Sequence, residues 1–255
     1  MTPPGTHLIL IPSFNTGPRL LATVQEALAR WQPVWVVIDG STDGSDAPVR
    51  ELARHEPNLR ILAREKNGGK GNAIFTGLIA ALAAGFTHVL TMDADGQHPP
   101  GHIGPFMEAS QKNPAALIAG APVFGPDAPA VRLQGRKLSV ALTRLETLGP
   151  AIADPLFGFR VYPAAPLARA LLATRAARGY DFDPEVAVRL VWAGVPVVNL
   201  PAPCRYFTRA QGGVSHFRYV RDNAKMVWLH VRLLAQLLVR WPAVRRARRT
   251  ATNIK

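Results

Sequence analysis

Two carboxylates, Asp93 and Asp95, stand one residue apart in the stretch TMDADGQHPP, directly after an apolar run. At the end of a buried strand they repel each other, and the arrangement becomes favourable when a divalent cation lies between or beside them. Hard cations such as Mg2+ or Mn2+ take oxygen ligands, commonly one or two carboxylates together with substrate phosphates. The matching substrate is a diphosphate ester: the metal ties it to the protein and neutralises the charge that develops as the diphosphate leaves. Gln97 and His98 follow at once and are placed to complete or orient such a sphere. Taken alone, the pair is equally an exposed acidic turn ahead of Pro99 and Pro100, so the rest of the chain has to decide.

Three other stretches carry groups suited to the same ligand. PSFN ends the first apolar run with Pro12 and Asn15. VVIDGSTDGS places Asp39 after a second apolar run, then glycines and small hydroxylated residues such as Ser41. Asp39 is suited to accept a hydrogen bond from a base N–H, and the glycines let a ligand approach the backbone. Asp43 or Ser45 is expected to cap the helix that follows. NGGKGN supplies a flexible loop with Lys70. It is not a Walker-type loop, because Gly71 stands where serine or threonine is required, and no G-x-G-x-x-G follows a strand.

These loops need a frame that brings them together. HLILIP, VWVVID, LRILA and HVLTMD begin at His7, Val34, Leu59 and His88, and helix-like segments such as RLLATVQEALARW and GNAIFTGLIAALAAG separate them. The alternation predicts an α/β domain: a mostly parallel sheet flanked by helices, with strands buried on both faces. In such sheets the ligand crevice lies beyond the carboxyl ends of the strands, where all four loops fall. Beyond residue 115, ALIAGAPV, FRVYP and VPVVNLP read as further strands and RLQGRKLSVALTRLETLG as a helix. DPEVAVRLVWAG reads as a helix capped near Asp183 and closed by Gly194.

The chain has 255 residues, 48% of them hydrophobic, which suits one compact domain with an appendage. A single cysteine, Cys204, excludes an internal disulfide and fits a cytoplasmic setting. The N-terminus has no signal-peptide pattern, and no apolar run is long enough to predict a membrane span. The formal charge is +13, but residues 218–255 hold ten Lys or Arg against one Asp, so +9 of it belongs to the C-terminal end. At about 100° per residue, Arg218, Arg221, Asp222, Lys225, Arg232, Gln236 and Arg240 share one arc that also contains Leu229. Val227, Val231, Leu234, Leu238 and Trp241 lie opposite. That pattern predicts either an interfacial helix with a basic tail on an anionic membrane, or a helix docking its apolar side on the body.

The ordered series PSFN, VVIDGSTDGS, NGGKGNAIFTG, MDADGQHPP and DPLFGFRVYP resembles the family 2 glycosyltransferases of GT-A fold, over roughly residues 7–216. It is most similar to the branch of dolichyl- and polyprenyl-phosphate sugar synthases. The resemblance implies a GT-A domain over 1–216, with 217–255 an amphipathic, membrane-surface segment. It implies Pro12, Asn15, Asp39, Ser41, Lys70, Asp93 and Arg209 as binders of the nucleotide sugar. Asp93, Asp95 and Gln97 would be the metal set for Mg2+ or Mn2+, and Asp95 and Asp154 the groups nearest the chemistry. Arg136, Lys137 and Arg160 are expected near the acceptor. In place of the arginine that the branch carries after the fifth strand stands Pro122, in GAPVF. The acceptor is therefore expected to be either a polyprenyl phosphate, which needs no base, or a lipid hydroxyl, for which Asp154 would be the base.

The implied activity is an inverting, metal-dependent transfer from a UDP- or GDP-sugar to a lipid-linked acceptor, at the inner face of the cytoplasmic membrane. A nucleotidyltransferase would show a glycine- and base-rich loop after the first strand, where the first basic residue is only Arg19. A nucleic-acid binder would interleave aromatics with its basic stretch, so no nucleic-acid partner is expected.

Overall fold

The computed structural model describes residues 5–125, 130–207 and 219–252. Among them are seven strands in one sheet: β1 (His7–Ser13), β2 (Val34–Asp39), β3 (Leu59–Arg64), β4 (His88–Thr91), β5 (Leu117–Phe124), β6 (Arg160–Pro163) and β7 (Val197–Cys204). Their order across the sheet is β3-β2-β1-β4-β6-β5-β7. β6 runs antiparallel to both β4 and β5, whereas every other pairing is parallel. The strand order reverses beside β1, which opens the crevice that binds ligands in doubly wound sheets.

Among the described residues eight α-helices surround the sheet: α1 (Arg19–Leu28), α2 (Ala47–Leu52), α3 (Lys70–Ala83), α4 (Ile103–Lys112), α5 (Ala130–Glu146), α6 (Ala164–Leu172), α7 (Phe182–Trp192) and α8 (Tyr219–Thr252). Because side chains alternate along a strand, β1 and β2 feed two separate cores. Ile9, Ile11, Val34, Val36 and Ile38 pack with residues of α1 and α4 on one face. Leu8, Leu10, Trp35 and Val37 pack with residues of α3, α6 and α7 on the other. This two-sided burial is why the strands read as continuous apolar runs.

The start of α3 is fixed by a close approach. A Cβ on Gly71 would collide with the backbone carbonyl of Ala177, and the Gly71 N–H donates to the Arg178 carbonyl at 3.0 Å. Gly71→Ala should therefore push the 177–179 segment away from Lys70 and cost about 1–3 kcal/mol. Denaturant unfolding would read this directly, and an unchanged midpoint would contradict the packing.

Three local expectations are corrected. Neither Asp43 nor Ser45 caps α2: Asp43 accepts the Ser45 N–H at 3.1 Å, the Ser45 hydroxyl at 2.6 Å and the Gly17 N–H at 3.0 Å, stitching the first and second strand-end loops together. Asp183 lies inside the first turn of α7, and the N-cap position belongs to Asp181, whose carboxylate accepts the N–H groups of Ala177 and Gly179. Gly194 does end the helix, with φ +79°.

The third concerns α8. It docks on α7 through Leu229, Leu233, Leu237 and Val244, packed with Val188 and Trp192. Val227, Val231, Leu238 and Trp241 face outward instead, Leu238 being 80% exposed. The helix thus has two apolar faces, and among the described residues the one centred on Leu233 is the one that meets the body. Among the described residues no helix is long and apolar enough to cross a membrane. The division expected at 216/217 falls outside the described residues.

Candidate active site

The ends of β1 to β4 converge as the apolar pattern requires. Pro12 is buried near the end of β1. Asn15, with φ +46°, donates its N–H to the Ser41 hydroxyl at 3.1 Å and accepts the Thr42 N–H at 2.7 Å. Asn15 and Ser41 therefore clasp each other across the first two loops.

Asp39 is 2% exposed at the end of β2. It accepts Arg64 Nε at 2.7 Å, the Gly68 N–H at 3.0 Å and the Gly69 N–H at 2.8 Å. A base N–H would have to share the carboxylate with these three donors. What the geometry assigns to Asp39 is the shape of the glycine loop, and through it the position of Lys70.

Lys70 opens α3 and bridges Asp93 and Asp183, 2.7 Å from each. Burial works against its charge, but Asp183 and then Asp93 overcome this and hold its pKa above the ordinary lysine value. Asp93 is held below the usual carboxylate range against its own burial, chiefly by the Lys70 ammonium. The same ammonium acts on Asp95 only from beyond ion-pair distance. Burial first and the charge of Asp93 second push its carboxyl up to about 6, and among the described residues it forms no ion pair. The Gln97 N–H donates to its Oδ1 at 3.0 Å.

A like-charged pair with a single counter-ion matches an oxygen-seeking divalent cation. The oxygens on offer are those of the two carboxylates, with Gln97 next in the chain. Among the described residues no cluster of three or more His, Cys, Asp or Glu is suited to a metal, so any ion here takes further oxygens from substrate or water.

His98 takes a supporting place. Its Nδ1 accepts the Asp93 N–H at 2.9 Å, which leaves the proton on Nε2, 3.6 Å from Asp93 Oδ2. Packed edge-on against Phe157, 4.9 Å between ring centroids, its pKa falls to about 4 through burial. The ring is therefore neutral, and it orients Asp93.

The second half of the site centres on Asp154, which is 4% exposed. Arg136 of α5 meets its Oδ2 at 3.0 Å, and the Leu156 N–H donates to Oδ1 at 2.8 Å. Burial raises the Asp154 pKa although Arg136 opposes it. The Arg136 guanidinium also lies over the Phe124 ring, 5.2 Å from its centroid. Lys137 is exposed on α5. Arg160 is 0% exposed and cannot meet an acceptor. It serves as an internal strut, for the reason that all its hydrogen bonds go to Tyr162 and to main-chain carbonyls. Arg209 lies outside the described residues.

Sequence reasoning missed Asp183 as a partner of Lys70. Its signal was present in DFDPE, three acids opening a helix with no solvent-facing side, but an acid in a first turn reads equally as a favourable match to the helix dipole.

A mostly parallel sheet whose fourth strand leads into a half-buried carboxylate pair, with glycine loops from the second and third strands beside it, is the frame of the nucleotide-sugar glycosyltransferases of GT-A fold. The glycosyl transferase family 2 pattern matches residues 8–173. The polyprenol monophosphomannose synthase of Mycolicibacterium smegmatis is 30% identical over 220 residues, covering 84% of this chain and 81% of that protein. The undecaprenyl-phosphate mannosyltransferase of Micrococcus luteus is 28% identical over 200 residues, covering 76% and 81%. Among solved structures, glucosyl-3-phosphoglycerate synthase from Mycobacterium tuberculosis, in complex with Mn2+, UDP-glucose and phosphoglyceric acid, aligns with a TM-score of 0.61 at 18% identity, over 92% of this chain and 79% of that one. The chain belongs to glycosyl transferase family 2.

Proposed function

We propose that the protein transfers a sugar, with mannose the first candidate, from a nucleoside diphosphate donor to a polyprenyl phosphate at a membrane surface. The observation that carries this reading is the half-buried pair Asp93 and Asp95, of which, among the described residues, Asp93 alone has a cation within ion-pair distance. Asp93 and Asp95, with Gln97, would hold Mg2+ or Mn2+. When bound, that ion supplies charge neutralisation on the departing diphosphate. Lys70, between Asp93 and Asp183, adds positive charge on the same side, and the loops of Asn15, Ser41 and Asp39 frame the space for the nucleoside.

The acceptor half favours a phosphate. A lipid hydroxyl needs a base, and Asp154 lies buried beneath Arg136, tied to it and to the Leu156 amide. A phosphate is already anionic. One of its oxygens forms a bond to the anomeric carbon as the bond from that carbon to the donor diphosphate breaks, with inversion and without a proton to remove. Arg136 would be shared between Asp154 and the acceptor phosphate, with Lys137 nearby. The activities that the two relatives' names state, both mannosyl transfers to polyprenyl-type phosphates, support this choice.

The outward apolar face of α8 and the arginines after it support a site on the cytoplasmic face of a membrane. From Val227 to Trp241 that face extends ~21 Å at 1.5 Å per residue, and Arg245 and Arg246 are exposed just beyond. An exposed apolar stripe with a basic flank suits the boundary of an anionic bilayer.

The test is transfer of labelled sugar from GDP-mannose or UDP-glucose to polyprenyl phosphate in detergent, with Mg2+, Mn2+ or chelator. Metal-dependent appearance of label in an acid-labile lipid fraction is the expected result. Label found only in a lipid with an acid-stable glycosidic link would replace the phosphate acceptor by a hydroxyl.

A further inference from the structure

Between the 174–181 segment and α8 lies a cavity of about 260 Å3, lined by none of the residues assigned above to the donor, metal or acceptor. Four cations line it, Arg175, Arg178, Lys225 and Arg232, against one carboxylate, Asp181. The cations are not equally engaged. Arg232 is tied to Glu185 through both guanidinium nitrogens, and Asp181 already accepts the Ala177 and Gly179 N–H groups. Arg178 donates Nη2 to the carbonyls of Leu171 and Thr174, and its buried Nη1 has no acceptor. Arg175 and Lys225 are exposed and form no ion pair among the described residues. Such a wall holds positive charge that the protein itself does not balance.

The rim supplies the second observation. Trp228 lines the cavity and is 65% exposed. It belongs to the outward face of α8, continuous with Val231, Leu238 and Val239, all exposed. A soluble anion would make no use of this stripe. A lipid would use both parts, its phosphate between Arg175 and Lys225 and its chains along the stripe, with the indole at the boundary where tryptophan is favoured.

We propose that this cavity binds the phosphate of an anionic membrane phospholipid, and so fixes how the enzyme sits on the bilayer. The inference rests on the reading that α8 meets a membrane, but adds a defined headgroup site to it. Diffuse attraction depends on how many charges lie near the surface. A site depends on which ones.

The experiment uses the full chain and flotation with phosphatidylcholine vesicles, with and without phosphatidylglycerol. Arg175→Glu/Lys225→Glu is compared with Arg245→Glu/Arg246→Glu, which changes the net charge equally but towards the other end of α8, outside the cavity. The cavity pair should lose affinity for the anionic vesicles by about tenfold more than the tail pair, with partition onto pure phosphatidylcholine unchanged. Arg175→Gln/Lys225→Gln should fall between wild type and the cavity pair, and circular dichroism should confirm native folding in each. Equal losses from the two charge-reversal pairs would overturn the site and leave the membrane reading standing. No vesicle binding by the wild type would overturn both. A rise in melting temperature with inorganic phosphate, in the wild type but not the cavity pair and with no difference on vesicles, would make it a soluble-anion site and overturn the lipid assignment.

Discussion

Asp95→Asn slows sugar transfer by at least about 10^3-fold, some 4 kcal/mol of transition-state stabilisation, and yet leaves the metal-free protein more stable than the wild type. The two effects share one cause. Asp95 is a carboxylate kept against burial and against Asp93, with its pKa pushed up to about 6 from 3.8. The folded state therefore binds a proton more readily than the unfolded chain does. Above pH 6 the native protein carries an unfavourable charge, below about 4 both states are protonated, and stability falls as pH rises through that window. An amide removes the penalty, so Asp95→Asn should gain on the order of 1–3 kcal/mol at pH 7–8 in chelator, and the gain should vanish towards pH 4. Denaturant unfolding at the two pH values, beside turnover with metal, checks both halves. A variant that is slow but no more stable at pH 8 would mean that Asp95 is already compensated within the protein. Full turnover would remove the pair from the chemistry altogether. Asp93→Ala should be as inactive but less stable, because Lys70 loses one of its two partners and stays buried.

That contrast also shows what was legible beforehand. The strands at His7, Val34 and His88 were, because two-sided burial writes itself as unbroken apolar runs, whereas the run at Leu59 is an edge strand with Leu59 alone fully buried. The convergence of PSFN, DGSTDGS, NGGKGN and DADGQH followed from topology, since loops after parallel strands share one edge. Contacts between residues far apart in sequence were not legible. Lys70 and Asp183 lie on different helices, and nothing local in either stretch names the other. The orientation of α8 was hidden for a different reason. Its sequence offers two apolar faces, Leu229–Leu233–Leu237 and Val227–Val231–Leu238, and periodicity alone does not say which one meets α7. Asp39 shows a third limit: a carboxylate after a strand suits a ligand or a loop equally well, and the loop's amides reach it in this structure.

Arg160 is where core and site cannot be separated, and it gives the other large effect. Its guanidinium donates to the Tyr162 hydroxyl at 3.2 Å and to the carbonyls of Asp183 at 2.7 Å, Asp154 at 3.1 Å and Pro155 at 2.7 Å. One side chain on β6 thus holds the turn that presents Asp154 and the first turn of α7 that presents Asp183. Arg160→Met would strand three buried carbonyls, at a cost of about 3–5 kcal/mol, a fall in melting temperature on the order of 10 °C for a chain of this size. Arg160→Lys should rescue little, because a compact ammonium cannot span two pairs of acceptors as a planar fork does. Transfer by whatever fraction remains folded should show a raised KM for the acceptor, since the Asp154 turn and its bond to Arg136 lose their support. A residue that touched the acceptor directly would behave otherwise: stability would stay near wild type, and lysine would keep much of the phosphate affinity. Unfolding curves for the Met and Lys variants, set beside acceptor KM, separate the strut from the ligand.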